Sequence, residues 1–109
     1  TTNINKNRND IETYIVKDIF WSPCSKRIGV MYESQITKET ARFVHLLAYD
    51  FGSCYRLGFI THPHGTYPIN ITFRNHFNSG ALMAICWNNA IISQHHLCFN
   101  TNTNNTNRY

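Results

Sequence analysis

The chain has 109 residues, 42% of them apolar and 14% aromatic, and a formal net charge of +4. That length suits one domain around one core, which hides roughly two-thirds of the surface of the unfolded chain. No run approaches the ~18 apolar residues of a membrane-crossing helix, and no leader-like segment opens the chain, so the expectation is a mature secreted form whose leader has been removed.

The first ten residues, TTNINKNRND, and the last ten, NTNTNNTNRY, are rich in Asn and Thr and lack apolar periodicity. They are expected to be mobile tails around an ordered core of about residues 13–99. Asn104-Asn105-Thr106 in the second tail and Asn70-Ile71-Thr72 further in are N-glycosylation sequons. Thr13 to Trp21 and Lys26 to Tyr32 read as two strands of a hairpin. Ser22-Pro23-Cys24-Ser25 supplies turn chemistry between them.

A helix is expected next. Ser34 is a suitable N-cap, and Ile36, Thr40, Phe43, Val44, Leu47, Ala48 and Phe51 recur at three- and four-residue spacing. Lys38, Glu39 and Arg42 fall on the opposite face, and Gly52 suits the position just past the helix end. His45 sits at the polar edge of this helix and reads as solvated. After Gly52 the period becomes two. Cys54 to Thr61, Thr66 to Arg74, Ala81 to Trp87 and Ala90 to Phe99 read as four strands of one antiparallel sheet. The connections are His62-Pro63-His64-Gly65, the loop from Asn75 to Gly80, and a two-residue type I′ turn at Asn88-Asn89 that sets Ile85 opposite Ile92. Ala81-Leu82-Met83-Ala84-Ile85-Cys86-Trp87, apolar throughout, reads as a central strand covered on both faces. The expected fold class is α+β: an N-terminal β-hairpin and one helix packed on a four-stranded antiparallel sheet, in a single domain spanning residues 1–109.

The four cysteines, Cys24, Cys54, Cys86 and Cys98, lack any C-x-x-C spacing, so neither a zinc ribbon nor a redox motif is indicated. An even count in a small secreted domain suggests two disulfides. Three pairings are open, and buried thiols are the alternative for Cys54 and Cys86. A metal site from His95, His96 and Cys98, or from His62 and His64, is not expected, because the first three do not easily converge on one ion. Along a strand His95 points away from the other two. No cofactor is indicated.

Charge is unevenly distributed. All six acids, Asp10, Glu12, Asp18, Glu33, Glu39 and Asp50, precede residue 51, and the rest of the chain carries Arg56, Arg74, Arg108 and five histidines. An acid-free half does not repel a phosphate backbone. In the stretch from His62 to Arg74, alternate side chains Asn70, Thr72 and Arg74 are polar. They read as a binding face for RNA or protein, or simply as the solvated side of a half-buried strand. Arg56, His76 and His95 are candidates for the same surface, and Phe77, in the loop from Asn75 to Ser79, is a candidate aromatic anchor.

In element order the chain resembles the small microbial guanyl-specific ribonucleases, which carry Glu-aromatic-Pro-aliphatic on a central strand. The matching run is Thr66-Tyr67-Pro68-Ile69, with threonine where the general base would stand. The next strand, Ala81 to Ile85, lacks the family's phosphate-holding arginine. Tyr55-Arg56-Leu57-Gly58-Phe59 offers arginine but no histidine, and Ile91-Ile92-Ser93-Gln94-His95 is the nearest match to the last catalytic histidine. A threonine hydroxyl does not take a proton near neutral pH as a tuned carboxylate does. A scaffold without its catalysis resembles the RNase-like effectors that powdery mildew fungi secrete into plant cells. Phe20-Trp21-Ser22-Pro23-Cys24 is similar to their N-terminal aromatic motif ending in cysteine, with one extra residue before the cysteine. The resemblance implies a Cys24–Cys98 bridge. It also implies a non-enzymatic, monomeric virulence protein that binds host RNA or host protein and meets a plant intracellular immune receptor. The other reading is an active secreted ribonuclease with histidine acid–base pairs drawn from His62, His64, His95 and His96.

Overall fold

A computed structural model describes residues 13–74 and 80–98. Its strands are β1 (Tyr14–Trp21), β2 (Arg27–Ser34), β3 (Thr40–Asp50), β4 (Ser53–Ile60), β5 (Pro68–Phe73), β6 (Gly80–Trp87) and β7 (Ile92–Cys98). They form a four-stranded antiparallel sheet, β1-β2-β3-β4, and a three-stranded antiparallel sheet, β5-β6-β7. The described residues contain no helix, so the expected α+β class is corrected to all-β.

The correction falls on residues 34–52. Ser34 does cap a turn: its Oγ accepts from the N–H groups of Ile36 at 3.2 Å and Thr37 at 3.1 Å. That turn is a single one. The Lys38 N–H donates to Ser34 O, and Lys38 itself takes φ 67°, which ends it. Phe43, Val44, Leu47 and Ala48 then lie on a strand between β2 and β4, whose two faces are both apolar. A strand apolar on both faces meets a helical template by default, because every three- and four-residue step lands on an apolar residue. Gly52 was equally ambiguous. It occupies a left-handed conformation, as a residue after a helix often does, but together with Phe51 at φ 49° it makes a two-residue type I′ hairpin that pairs Asp50 with Ser53.

The second correction moves β4. It pairs with β3 along its length and does not join β5, β6 and β7. The third concerns the last hairpin. The Ala90 N–H donates to Trp87 O, and Ala90 takes φ 71°, the form of a three-residue loop closed by a left-handed residue. Ile92 therefore faces Cys86, and Ile85 faces Ser93. One residue of slip sends each β7 side chain to the other face of the sheet.

The two sheets pack face to face, with β5 lying over β3 and β1. Met31, Val44 and Leu46 from the first sheet meet Ile71, Ala81, Met83, Ile85, Trp87 and Leu97 from the second. Gly29 makes the close approach feasible. A Cβ there would stand 3.1 Å from Ile71 Cδ1 and 3.6 Å from the Met83 sulfur. Gly29→Val is expected to overpack this contact and lower stability by about 1–3 kcal/mol, read from the midpoint of urea unfolding.

Candidate functional site

The inner face of the first sheet is spent on the core, so its outer face decides what the sheet offers to solvent. Register places Tyr14, Ile19 and Trp21 of β1 on that outer side, with Val30 and Tyr32 of β2, Phe43, His45 and Tyr49 of β3, and Arg56 and Phe59 of β4. Among the described residues no strand of the second sheet covers it. Rings meet along the face: Tyr14 edge-on to Phe43 at 5.6 Å, Phe43 edge-on to Phe59 at 5.1 Å, and Trp21 edge-on to Tyr49 at 5.6 Å. Edge-to-face pairing of this kind contributes about 0.5–1.5 kcal/mol per pair beyond area burial. The rim remains open to water: Trp21 is 49% exposed and Phe59 60%.

His45 lies beneath these rings. It is 8% exposed, stacks on Phe59 at 4.6 Å, and shares a 2.8 Å hydrogen bond between its Nδ1 and the Tyr32 hydroxyl. Its Nε2 is buried without a hydrogen-bond partner. The helical reading put this histidine in solvent; the strand puts it under the aromatic face. Burial first, then the positive charge of Arg56, hold its pKa below the ordinary value.

The sequence-derived surface is divided three ways. Arg56 belongs to the outer face of the first sheet. Asn70 and Thr72 are exposed on the far side of the second sheet, and exposed Arg74 follows just past β5, its N–H donating to Leu82 O at 2.9 Å. His95 is half-buried on the inner side of β7, in the row of Phe73 and Met83. His76 and Phe77 lie outside the described residues. Of the cysteines, Cys24, Cys54 and Cys86 are free thiols, and the side chain of Cys98 lies outside the described residues. Among the described residues no group of three or more His, Cys, Asp or Glu could hold a metal ion.

The histidines are similarly dispersed. The Trp87 indole donates from Nε1 to Ser93 Oγ at 2.8 Å, and Ser93 Oγ lies 2.8 Å from His95 Nε2. An indole N–H only donates, so Ser93 Oγ accepts from Trp87 and at the same time shares a second hydrogen bond with His95 Nε2. The serine–histidine spacing is that of a nucleophile and its base, but the fully buried Trp87 holds this hydroxyl in place, and the chain serves to lock β7 to β6. His62 stacks on the other side of the network, 5.4 Å from Trp87. His64 is exposed in the turn at φ 67°, and His96 is exposed on the outer side of β7. Thr66, buried, donates its hydroxyl to the carbonyls of His62 and Pro63 and so closes the turn before β5.

Burial lowers the pKa of His95 as it does that of His45. A lowered folded-state value means that the unfolded chain, with histidine near 6.5, takes up protons first as pH falls. The stability held by the two neutral rings is complete above about pH 6.5 and is lost as pH falls through their folded-state values. The urea midpoint is therefore expected to drop between about pH 7 and about pH 5, and His45→Phe to flatten part of that drop.

Compared with protein-family models, curated proteins and solved structures, the chain matches none.

Proposed function

We propose that the protein works by holding a protein partner without chemical turnover, in the role of a secreted fungal effector that engages a plant host protein or immune receptor, and that the outer face of the first sheet is the contact surface. One observation carries this reading: a sheet face that no other described strand covers, with exposed Trp21, Tyr49 and Phe59 at its surface and Arg56 at its edge. Contiguous exposed apolar faces mark interaction sites, and Trp, Tyr and Arg are the residue types that dominate binding energy between proteins. The effector role needs a surface and no ribonuclease scaffold, so it stands apart from the element order that suggested it.

Single-stranded RNA also stacks on aromatic sheet faces, but it needs a groove of cations along the backbone, and among the described residues Arg56 is the cation that register places on this face. The polar side of the second sheet, with Asn70, Thr72 and Arg74, has the opposite deficit, since no aromatic ring lies among them. Affinity capture from leaf extract separates the cases. The expected result is a retained plant protein that survives nuclease treatment and is lost when Trp21→Ser and Phe59→Ser are combined. Retention that disappears with nuclease, or binding to a single-stranded RNA probe whose log affinity falls against log salt with a slope of roughly −2, would assign the surface to nucleic acid.

A further inference from the structure

The two turns at one end of the first sheet carry apolar residues that the core does not use. Ser22 to Lys26 joins β1 to β2, and Phe51-Gly52 joins β3 to β4. The turns lie side by side: the Tyr49 N–H donates to Lys26 O at 3.0 Å, and the Trp21 and Tyr49 rings meet at 5.6 Å. Phe51 stands at the tip of the second turn and is 96% exposed. Its φ of 49° belongs to the first central position of a type I′ turn, where Asn, Asp and Gly are the favoured residues. A bulky ring at that position strains the backbone and leaves apolar surface in water. At this exposure the ring has almost no contact within the fold to offset either cost. Outliers of this kind collect at functional sites.

Aromatic rings surround the tip on both sides of the sheet. Tyr49 lies just behind the turn on the outer side, with Trp21 beside it. Tyr55 lies opposite buried Ala48, on the side of the core, and is still 53% exposed because it stands at the sheet end. Pro23 and Cys24, both exposed, form the neighbouring tip. From Trp21 to Lys26 and from Tyr49 to Tyr55 the charged residues are Lys26 and Asp50, and their side chains lie 3.9 Å apart.

We infer that this end of the first sheet is a lipid-contact tip, at which Phe51 enters the boundary between the headgroups and acyl chains of a bilayer while Trp21, Tyr49 and Tyr55 rest at the headgroup level. The occupant is a lipid surface because the rings stand on both sides of the sheet end. A bilayer surrounds an inserted tip, whereas a protein partner covers one side of it. Trp and Tyr present an apolar body and a polar tip, the combination that settles at a membrane–water interface. Lys26 and Asp50 offset each other, so the approach sets no unpaired charge against lipid. Phe51 and Tyr55 lie outside the aromatic set of the outer face, and the inference does not depend on that face holding a protein.

The test is flotation of the full chain with phosphatidylcholine vesicles, with and without phosphatidylserine. The expected result is that the wild-type chain floats with both, and that Phe51→Asn weakens vesicle binding at least about tenfold, the loss of one buried phenylalanine side chain. The same variant creates Asn-Gly, the preferred type I′ pair, and is expected to raise the midpoint of urea unfolding. A loss of binding in a variant more stable than the wild type does not come from misfolding. Tyr55→Ser is expected to act in the same direction. Ile36→Ser, at an exposed apolar residue beyond the other end of β2, is expected to leave flotation unchanged. A wild-type chain that floats with neither vesicle overturns the inference, and loss of a captured plant protein on Phe51→Asn would then assign the tip to a protein contact. Flotation that Phe51→Asn retains also overturns it, and a need for phosphatidylserine would trace that binding to the net positive charge of the chain.

Discussion

Trp87→Ala is expected to cost about 3–5 kcal/mol, a large share of the roughly 5–15 kcal/mol by which a domain of this kind is stable. Three losses coincide at this residue. The side chain is fully buried in the cluster where the two sheets meet, so truncation leaves a cavity that rigid strands close poorly. The indole N–H no longer satisfies Ser93, and the hydroxyl that orients His95 is released. His62 loses the ring on which it stacks, and with it the anchor of the turn before β5. Urea unfolding of the variant reads the sum. Trp21→Ala is the control, since that ring is half exposed and meets Tyr49 edge-on. Its cost is expected to be about 1 kcal/mol or less. If the two tryptophans cost the same, Trp87 is not at the junction of the sheets.

The largest effect on binding is expected from Trp21→Ser combined with Phe59→Ser. These residues stand on β1 and β4, the two edge strands of the first sheet, and share no ring contact: Trp21 meets Tyr49, while Phe59 meets Phe43 and His45. Their effects on stability should therefore add and remain moderate, because both side chains are about half in water before the change. An aromatic residue at the centre of a protein interface contributes about 2 kcal/mol or more, roughly thirtyfold in affinity. Losing both is expected to weaken a purified partner by about two to three orders of magnitude. Replacing Asn70 and Arg74 by alanine on the other sheet is expected to leave that affinity unchanged. The reverse pattern in a calorimetric titration would move the site to the second sheet.

Why the fold was only partly legible follows from individual residues. The first hairpin was legible, because Ser22 to Ser25 is turn chemistry with one geometric outcome: the Ser22 Oγ accepts from the N–H groups of Lys26 and Arg27. The helix was a misreading of signals that were real but shared. A serine that caps one turn has the same sequence signature as one that starts a helix, and Gly52 suits a type I′ turn as well as a helix end. The segment that separates the two readings is Phe43-Val44-His45-Leu46-Leu47, where every second residue faces the core and the others face outward into the rings. Periodicity is silent when both faces are apolar. That misreading also hid the candidate site. With Phe43 and His45 assigned to a helix, the neighbouring Tyr14, Trp21 and Phe59 had no common surface. A period-two count over residues 41–49, giving Ala41, Phe43, His45, Leu47 and Tyr49 on one side, was the signal available. The last hairpin turned on a single conformation, that of Ala90, which nothing in the pair Asn88-Asn89 reveals.

Side-chain footprinting by hydroxyl radicals, free and in the complex with a captured partner, tests the binding face most directly. Aromatic rings are read one by one, and Trp21, Tyr49 and Phe59 are all accessible in the free protein. Shielding of these three, with His96 and Tyr67 labelled as before, is the expected result. Trp21 and Phe59 labelled equally in both states would show that the partner sits elsewhere, and the outer face of the first sheet would then not be the surface by which this protein acts.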